Sequence, residues 1–180
     1  MEVVTKRSFA ARMIGAARLD ITVYEEVEHD TTATGQAALV VTLYAVARAI
    51  GGASAGAEGV IAGAVGALIG WAIWAGVTYF IGTRLFDGTA DWGEMARTIG
   101  FAHSPGILYV AAALPLLGWA VSLGLWIWLL VAGIIAIRQA LDFDTGKAIA
   151  TAGLGWLAAF LFGMLLMMLL GVSLPGMAMS

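Results

Sequence analysis

The 180-residue sequence contains no cysteine, three prolines, two histidines and few charged residues. Without cysteine the chain has no disulfide, no thiolate metal ligand and no thiol nucleophile. Asp, Glu, Lys and Arg make up 12% of the residues and hydrophobic residues 61%, whereas an average soluble domain is about a quarter charged and about half apolar. This composition argues against a soluble enzyme fold and against a disordered tail.

An excess of basic charge is also lacking. Nine Lys and Arg stand against twelve Asp and Glu, a net charge of −3, so the chain offers no basic surface that could follow a phosphate backbone. We therefore expect no nucleic-acid partner. The first thirty residues contain no apolar run long enough for the core of a signal peptide, so we also expect no cleaved N-terminal signal.

Long uncharged stretches are what the sequence does contain. They are 17, 25, 40 and 33 residues long and lie at 31–47, 59–83, 98–137 and 148–180. A helix needs about 20 residues to cross the hydrocarbon core, so the stretch of 40 must hold two crossings, which we divide near Pro115 and Gly118. The sequence predicts an all-α integral membrane protein, a five-transmembrane-helix bundle with spans near 33–50, 56–82, 104–114, 119–139 and 147–171.

The third predicted span is the shortest, and a re-entrant hairpin is the alternative. Lys and Arg concentrate on the cytoplasmic side of membrane proteins. Five full crossings put eight of the nine basic residues on one side and only Arg48 on the other. We therefore predict a cytoplasmic N-terminal segment at 1–30, a membrane domain at 31–172 and a short external tail at 173–180.

Two short helices are predicted outside the spans. One is amphipathic and lies near the N-terminus, where Phe9, Met13 and Ile14 interleave with basic residues. We expect it to lie in the membrane interface with its cations toward lipid phosphates, the alternative being an unstructured basic arm. The other, at 91–100, has Trp92, Met95 and Ile99 on one face. We expect it to be an interfacial helix leading into the third span.

A stripe of glycines on the second predicted span indicates close helix packing. Gly59, Gly63, Gly66 and Gly70 follow one another at offsets of four, three and four residues, and so share one helical face. Packing against another span of the same chain is the favoured expectation. Packing against a second copy, which would make the protein a homo-oligomer, is the alternative.

Most ionisable side chains fall on the predicted cytoplasmic side. The helix ends there bring together groups of both signs, which could form a salt-bridge network or a surface for a protein partner. The residues that we expect to meet beneath the first, third and fourth spans are Glu25, Glu28, His29, Arg97, His103, Arg138 and Asp142.

The motifs of cofactor, metal and catalytic sites are weak or missing in this sequence. Glu26 and His29 form one Glu-x-x-His, which with His103 could hold a single metal ion, but the second copy that a di-metal centre needs is absent. We find no phosphate-binding glycine loop and no serine nucleophile elbow. The expectation is a protein without cofactor, resident metal or catalytic residues, and not an enzyme.

Three patches of the sequence resemble one protein family. They are EHDTTATGQA at 28–37, GFAHSPG at 100–106 and ALDFDTGKA at 140–148. Together they are similar to the prokaryotic branch of the YIP family, the Ypt-interacting proteins, over residues 5–172. The resemblance implies a five-span fold with a cytosolic N-terminus in a prokaryotic cytoplasmic membrane, and it implies no catalytic activity.

The family is named for eukaryotic members that contact Rab-type GTPases. Those members have a longer cytosolic N-terminal region, whereas about thirty residues precede the first predicted span in this chain. The resemblance therefore does not carry GTPase binding over to it.

Two functions remain open at this point. The first is a non-catalytic module that organises the bilayer or binds a protein partner through its cytoplasmic face. The second is a small transporter or channel for an ion, a solute or a lipid. Secondary transporters usually show internal repeats and polar groups at mid-depth, and five spans do not divide into equal halves. The first function is therefore favoured.

Overall fold

The structure is a computed structural model that describes residues 6–52, 56–114 and 116–169, and within these ranges it is helical without any strand. Two 3₁₀ helices occur at Thr31–Ala33 and Ser104–Ala113. The α-helices are α1 Phe9–Ala17, α2 Ile21–His29, α3 Thr34–Gly51, α4 Ala57–Leu85, α5 Trp92–Ala102, α6 Gly118–Ala140 and α7 Thr145–Leu169. The predicted external tail at 173–180 lies outside the described residues.

Four of the helical segments are long and apolar enough to cross a membrane. They are Thr31–Gly51, Ala57–Leu85, Gly118–Ala140 and Thr145–Phe162, which coincide with the first, second, fourth and fifth predicted spans. The third predicted span, 104–114, is the ten-residue 3₁₀ helix Ser104–Ala113. It does not count as a crossing by length, although its rise of about 2.0 Å per residue makes it longer than an α-helix of ten residues.

Helices α1 and α2 form a short hairpin. Ser8 caps α1 and Asp20 caps α2, each with its side-chain oxygen accepting a backbone N–H of the first turn. Leu19 turns the chain between them with a left-handed φ of 62°, and the Tyr24 hydroxyl donates a hydrogen bond to the carbonyl of Ala16 at 3.1 Å. Only the first of these two helices is among the elements predicted above.

The expected contact of Arg12 with lipid phosphates is wrong, whereas the position of α1 in the membrane interface stays a prediction. The helix packs against α2, α5 and the 3₁₀ helix at 104–113, and its Arg12 side chain is completely buried. The Arg12 cation therefore binds carboxylates of the protein rather than lipid phosphates. The alternative expectation, an unstructured arm, is also wrong, because residues 9–17 are helical.

Helix α5 lies at the centre of the bundle, so the expectation that it is a surface helix is wrong. Every residue from Met95 to Ala102 is buried, and α5 packs against α2, α3, α4 and α6. Small residues allow this approach on several sides. A Cβ built at Gly100 would lie 2.6 Å from the Cβ of Ala37 on α3, and Trp71 of α4 donates its indole N–H to the Ala96 carbonyl at 2.9 Å.

Gly63, Gly66 and Gly70 of the glycine stripe do not pack against the described part of the chain. A Cβ built at Gly63, Gly66 or Gly70 would meet nothing within 4 Å, and Gly59 is exposed. Among the described residues, the favoured expectation of intramolecular packing through this stripe is therefore wrong, because α4 contacts the core through other side chains, such as Leu68, Trp71 and Ala75. Packing against a second copy stays a prediction.

Candidate functional site

The end of the bundle that contains α2 is called the α2 end below. Its charged groups fall into two clusters of different character. The first, which we call the ion cluster, consists of Lys6, Arg7, Arg12, Glu26 and Asp30. At its centre the Arg12 guanidinium donates to Glu26 Oε1 at 2.8 and 3.0 Å and to Asp30 Oδ2 at 2.8 Å. Its remaining nitrogen reaches Gln36 Oε1 at 2.9 Å. The buried cation is thus bonded by two carboxylates, that of Glu26 on α2 and that of Asp30 at the C-cap of α2.

Two exposed cations complete the ion cluster from outside. Lys6 Nζ lies 2.6 Å from Asp30 Oδ2, and Arg7 Nη1 lies 2.8 Å from Glu26 Oε2. Burial by itself raises the pKa of both carboxyls, but the hydrogen bonds from these cations and Arg12 outweigh it and lower both pKa values. For Asp30, hydrogen bonds from Thr32 add to the effect, and its pKa falls well below the ordinary range.

Arg97 joins the central helix α5 to the end of α2. Its Nε donates to the backbone carbonyls of Val27 and Glu28, each at 3.0 Å, and its Nη2 also bonds the Glu28 carbonyl. Arg97 is 5% exposed. These carbonyls belong to the last turn of α2, where a helix has unpaired acceptors and a negative dipole end. The guanidinium therefore satisfies the end of α2 inside the protein.

The second group, which we call the acidic cluster, consists of Glu25, Glu28, Glu94 and Asp142. Glu28 is 7% exposed, and its carboxyl makes no hydrogen bond and no ion pair with the described residues. Burial raises the pKa of Glu28 to about 7; the charge of His29 opposes this rise, and those of Asp142, Glu94 and Glu25 add to it. Glu28 therefore changes charge near neutral pH, and its charge interacts with those of three other carboxyl groups.

Neutral groups, not cations, bind the rest of the acidic cluster. Gln139 Nε2 donates to Glu25 at 3.2 Å, and the Thr89 hydroxyl donates to Asp142 at 3.0 Å. Arg138 donates to the side-chain oxygen of Gln139 at 3.0 Å and forms no ion pair with a described carboxylate. The salt-bridge network expected at this end thus exists in the ion cluster and not around Glu28.

His103, which we expected to meet these groups, lies elsewhere. Its Nδ1 bonds the Ile99 carbonyl at 2.8 Å, and its ring centroid lies 5.1 Å from that of Tyr44 on α3. It lines a cavity between the spans. Contacts and electrostatic interactions connect Glu25, Glu28, His29, Arg97, Arg138 and Asp142 around the end of α2, and His103 is not among them.

The structure does not bring together the three candidate metal ligands. Glu26 is bonded to Arg7 and Arg12, His29 Nδ1 bonds the Glu25 carbonyl at 2.9 Å, and His103 lies in the cavity. Across the described ranges, no group of three or more His, Cys, Asp or Glu side chains has a metal-binding arrangement.

Some residues of both clusters are not singled out by the sequence pattern. The pattern assigns Arg12 to lipid, although Glu26 and Asp30 stand four residues apart and so form one acidic face of a helix. It places Glu94 on a surface helix. No local signal points to Tyr44 or Arg48, which line the cavity with His103.

The helices identify the class of this protein, and a comparison of the sequence then identifies its family. A chain whose described part is helical and includes four apolar membrane-length segments is an integral membrane protein, with the lipid bilayer as its environment. A family model described as the Yip1 domain matches residues 23–167, and the chain belongs to this family. The resemblance drawn from the three sequence patches is thereby confirmed.

Comparison with individual proteins adds no further relative. No curated protein and no solved structure matches the chain. The family match begins within α2 and ends within α7. It therefore includes Glu26 and Asp30 of the ion cluster, whereas Arg12 on α1 precedes it.

Proposed function

We propose that this Yip1-family protein is a non-catalytic, five-span membrane module that binds a protein partner through its cytoplasmic face. The acidic cluster carries the proposal. Glu25 and Asp142 are exposed at the α2 end, and no described cation pairs with them. Exposed carboxylates that form no ion pair with a described cation are complementary to a basic segment of another protein.

The ion cluster differs from the acidic cluster because its carboxylates are already paired, and this difference supports the same proposal. There, Lys6, Arg7 and Arg12 already neutralise Glu26 and Asp30, so this cluster holds α1 in place and has little charge left for a partner. A partner that recognises the acidic cluster would bind less tightly as salt is added, because exposed charges are screened over about 8 Å at physiological ionic strength.

The direction of the 3₁₀ helix at 104–113 supports five crossings. A Cβ at Gly106 would touch the Tyr44 ring, and a Cβ at Gly51 would touch the Tyr109 carbonyl and the Ala112 side chain. The contacts advance in the same order along both segments, so the 3₁₀ helix runs parallel to α3. Ten residues at about 2.0 Å each span roughly 20 Å, and a locally thinner bilayer would accommodate that length.

Labelling of single cysteines tests this topology. Cysteines introduced at Ser54 and Ser180, which lie outside the described residues, should react with an impermeant thiol reagent added to the outside of cells. Cysteines at Thr89 and Thr145 should be protected until the membrane is opened. The absence of native cysteine removes any background. Labelling of Thr145→Cys from outside would contradict five crossings.

Crosslinking in native membranes tests partner binding. We expect the double variant Glu25→Gln/Asp142→Asn to lose the crosslinks that the wild type makes, because it removes two exposed charges of the acidic cluster. Glu58→Gln is the matched control, since Glu58 is an exposed carboxylate in the first turn of α4. A double variant that keeps every crosslink of the wild type would contradict the proposal.

A transporter or channel for an ion, a solute or a lipid is the second candidate function. The cavity that His103 lines between the spans favours it, because a transported substrate needs a site inside the bundle. Flux measured in proteoliposomes tests this function. Flux that persists in Glu25→Gln/Asp142→Asn would separate transport from recognition at the acidic cluster.

A further inference from the structure

A cavity of about 410 Å³ lies between helices α3, α4, α6 and α7 and the end of α5. This volume falls in the range of about 300–1,000 Å³ that is typical of small-molecule sites. Its walls are aliphatic and aromatic except at one place. The side chains that carry the argument are Tyr44, Arg48, Trp74, His103, Trp126 and Trp156.

The polar part of the wall consists of three neighbouring side chains. Arg48 Nη1 donates to the Tyr44 hydroxyl at 3.1 Å, and the Tyr44 ring packs beside the His103 ring with centroids 5.1 Å apart. The His103 Nδ1 is already bonded to the Ile99 carbonyl. Donors of Arg48 and the hydroxyl hydrogen of Tyr44 have no acceptor among the described residues.

Arg48 is a cation at the end of a membrane span, and it has no carboxylate partner among the described residues. It lies in the last turn of α3, and its guanidinium reaches back along the helix to Tyr44, one turn nearer the centre of the span. No described Asp or Glu lies within ion-pair distance of it. Arg48 is exposed at the end of the span, and a cation near membrane depth is favoured when it has a counter-charge, so this edge of the cavity offers a favourable place for an anion.

The tryptophans form an apolar wall that reaches the outer surface of the bundle. The Trp156 ring centroid lies 6.4 Å from that of Trp74 and 6.2 Å from that of Trp126. Trp126 is 50% exposed on α6 and Trp156 is 46% exposed on α7. Both helices are membrane-length segments, so this opening faces hydrocarbon. An occupant can reach the cavity from the bilayer.

We propose that this cavity binds a phospholipid with an anionic head group. The head-group oxygens accept hydrogen bonds from Arg48 and the Tyr44 hydroxyl, and an acyl chain lies against Trp126 and Trp156. A soluble anion would satisfy Arg48 but would leave the tryptophan wall unused, which is why the occupant is a lipid. The proposal rests on the membrane-spanning helices and is independent of partner binding at the acidic cluster.

Native mass spectrometry of the full-length protein in detergent tests the proposal. Phosphatidylglycerol and phosphatidylcholine with identical acyl chains are titrated in parallel. The wild type should bind phosphatidylglycerol preferentially, and Arg48→Gln should reduce that preference about tenfold, the effect of losing one charge-assisted hydrogen bond. Arg84→Gln is the matched control, because Arg84 is an exposed arginine in the last turn of α4 and does not line the cavity.

Two further measurements separate a bound lipid from a bound soluble anion. Trp126→Leu should weaken the binding of both lipids, since it shortens the apolar wall, and inorganic phosphate should not displace phosphatidylglycerol. Circular dichroism of each variant confirms that it is folded, and Arg48→Lys should retain part of the preference. An unchanged preference in Arg48→Gln, an equal loss in Arg84→Gln or displacement by phosphate would each overturn the proposal.

Discussion

The α2 end of the bundle and the opposite end, where α4 begins, are built in different ways. At the α2 end the chain buries Arg12, Tyr24 and Arg97 together with most of α5. At the opposite end no residue of α4 before Trp71 is buried, and Gly63, Gly66 and Gly70 have open space beside them. One end is closed by protein, whereas at the other Ile61, Val65 and Ile69 of α4 are exposed.

The difference follows from what holds each end together. Lipid tails are as apolar as leucine, so no hydrophobic effect forces the uncovered half of α4 against another helix. Buried charges, in contrast, are stable only with partners, and Arg12 and Arg97 each bond groups of α2 or its C-cap. The polar contacts therefore specify how the α2 end assembles, whereas the opposite end remains available for lipid or a second copy.

Arg12→Met should have the largest effect, because it removes the centre of the ion cluster. Glu26 and Asp30 would lose their buried partner, and removing one partner of a buried pair costs about 3 kcal/mol or more. Unfolding in detergent, followed by circular dichroism, measures the loss. Arg18→Met is the control, since Arg18 is exposed and should change stability by less than about 0.5 kcal/mol. Equal effects of the two variants would contradict the role of the ion cluster.

Gly100→Ala and Gly66→Ala compare glycines of the two ends. The new methyl group at Gly100 would lie 2.6 Å from the Ala37 Cβ and 3.2 Å from its Cα, so α3 and α5 must separate, at a cost of about 1–3 kcal/mol. At Gly66 the methyl group meets open space, and alanine favours the helix by up to about 1 kcal/mol. Thermal unfolding of both variants should therefore shift in opposite directions. A destabilised Gly66→Ala monomer would show that the stripe packs within the chain.

Glu28→Gln should have the smallest effect in mild acid, and its effect should grow as pH rises. Burial raises the pKa of Glu28 from 4.5 to about 7, so the folded protein keeps a proton that the unfolded chain releases at lower pH. Stability should therefore fall as pH rises from about 4.5 to 7. Glu28→Gln should remove this fall and be more stable than the wild type above pH 7, by up to about 3 kcal/mol.

The pKa of Asp30 is lowered instead of raised, so its effect on stability should depend on pH in the opposite direction. Its pKa is lowered below the ordinary 3.8 by hydrogen bonds that outweigh its burial, so its contribution to stability is present above that value and is lost only in stronger acid. Thermal midpoints measured from pH 4.5 to 8 should show Asp30→Asn destabilised throughout and Glu28→Gln stabilised only toward the alkaline side. A Glu28→Gln curve parallel to that of the wild type would contradict the raised pKa.

The membrane segments could be read from the sequence because they are a local property. Predicted limits of 33–50, 56–82 and 119–139 lie within three residues of α3, α4 and α6. The thickness of the bilayer determines how long an uncharged stretch must be, and no knowledge of packing is needed to find it. The helix ends rich in charged residues can also be located from the sequence, because they lie where the uncharged stretches stop.

Helix α5 and the 3₁₀ helix at 104–113 could not be read so reliably. Trp92, Met95 and Ile99 give α5 an amphipathic pattern, yet its neighbours cover it on all sides from Met95 to Ala102. The tighter 3₁₀ geometry of 104–113 occurs where Gly106 lies against Tyr44, and where the segment packs between α3 and α6. Both features depend on helices distant in the sequence.

By itself the sequence determined that this is a helical membrane protein of the Yip1 family with most of its charge at one end. Only the tertiary structure decided which charges pair. Arg12 binds Glu26 and Asp30, Arg97 reaches carbonyls about seventy residues away, and His103 lies in the cavity instead of the acidic cluster. Spacing along one helix specifies its faces, but a contact between two helices depends on how both are packed, which is a property of the whole bundle.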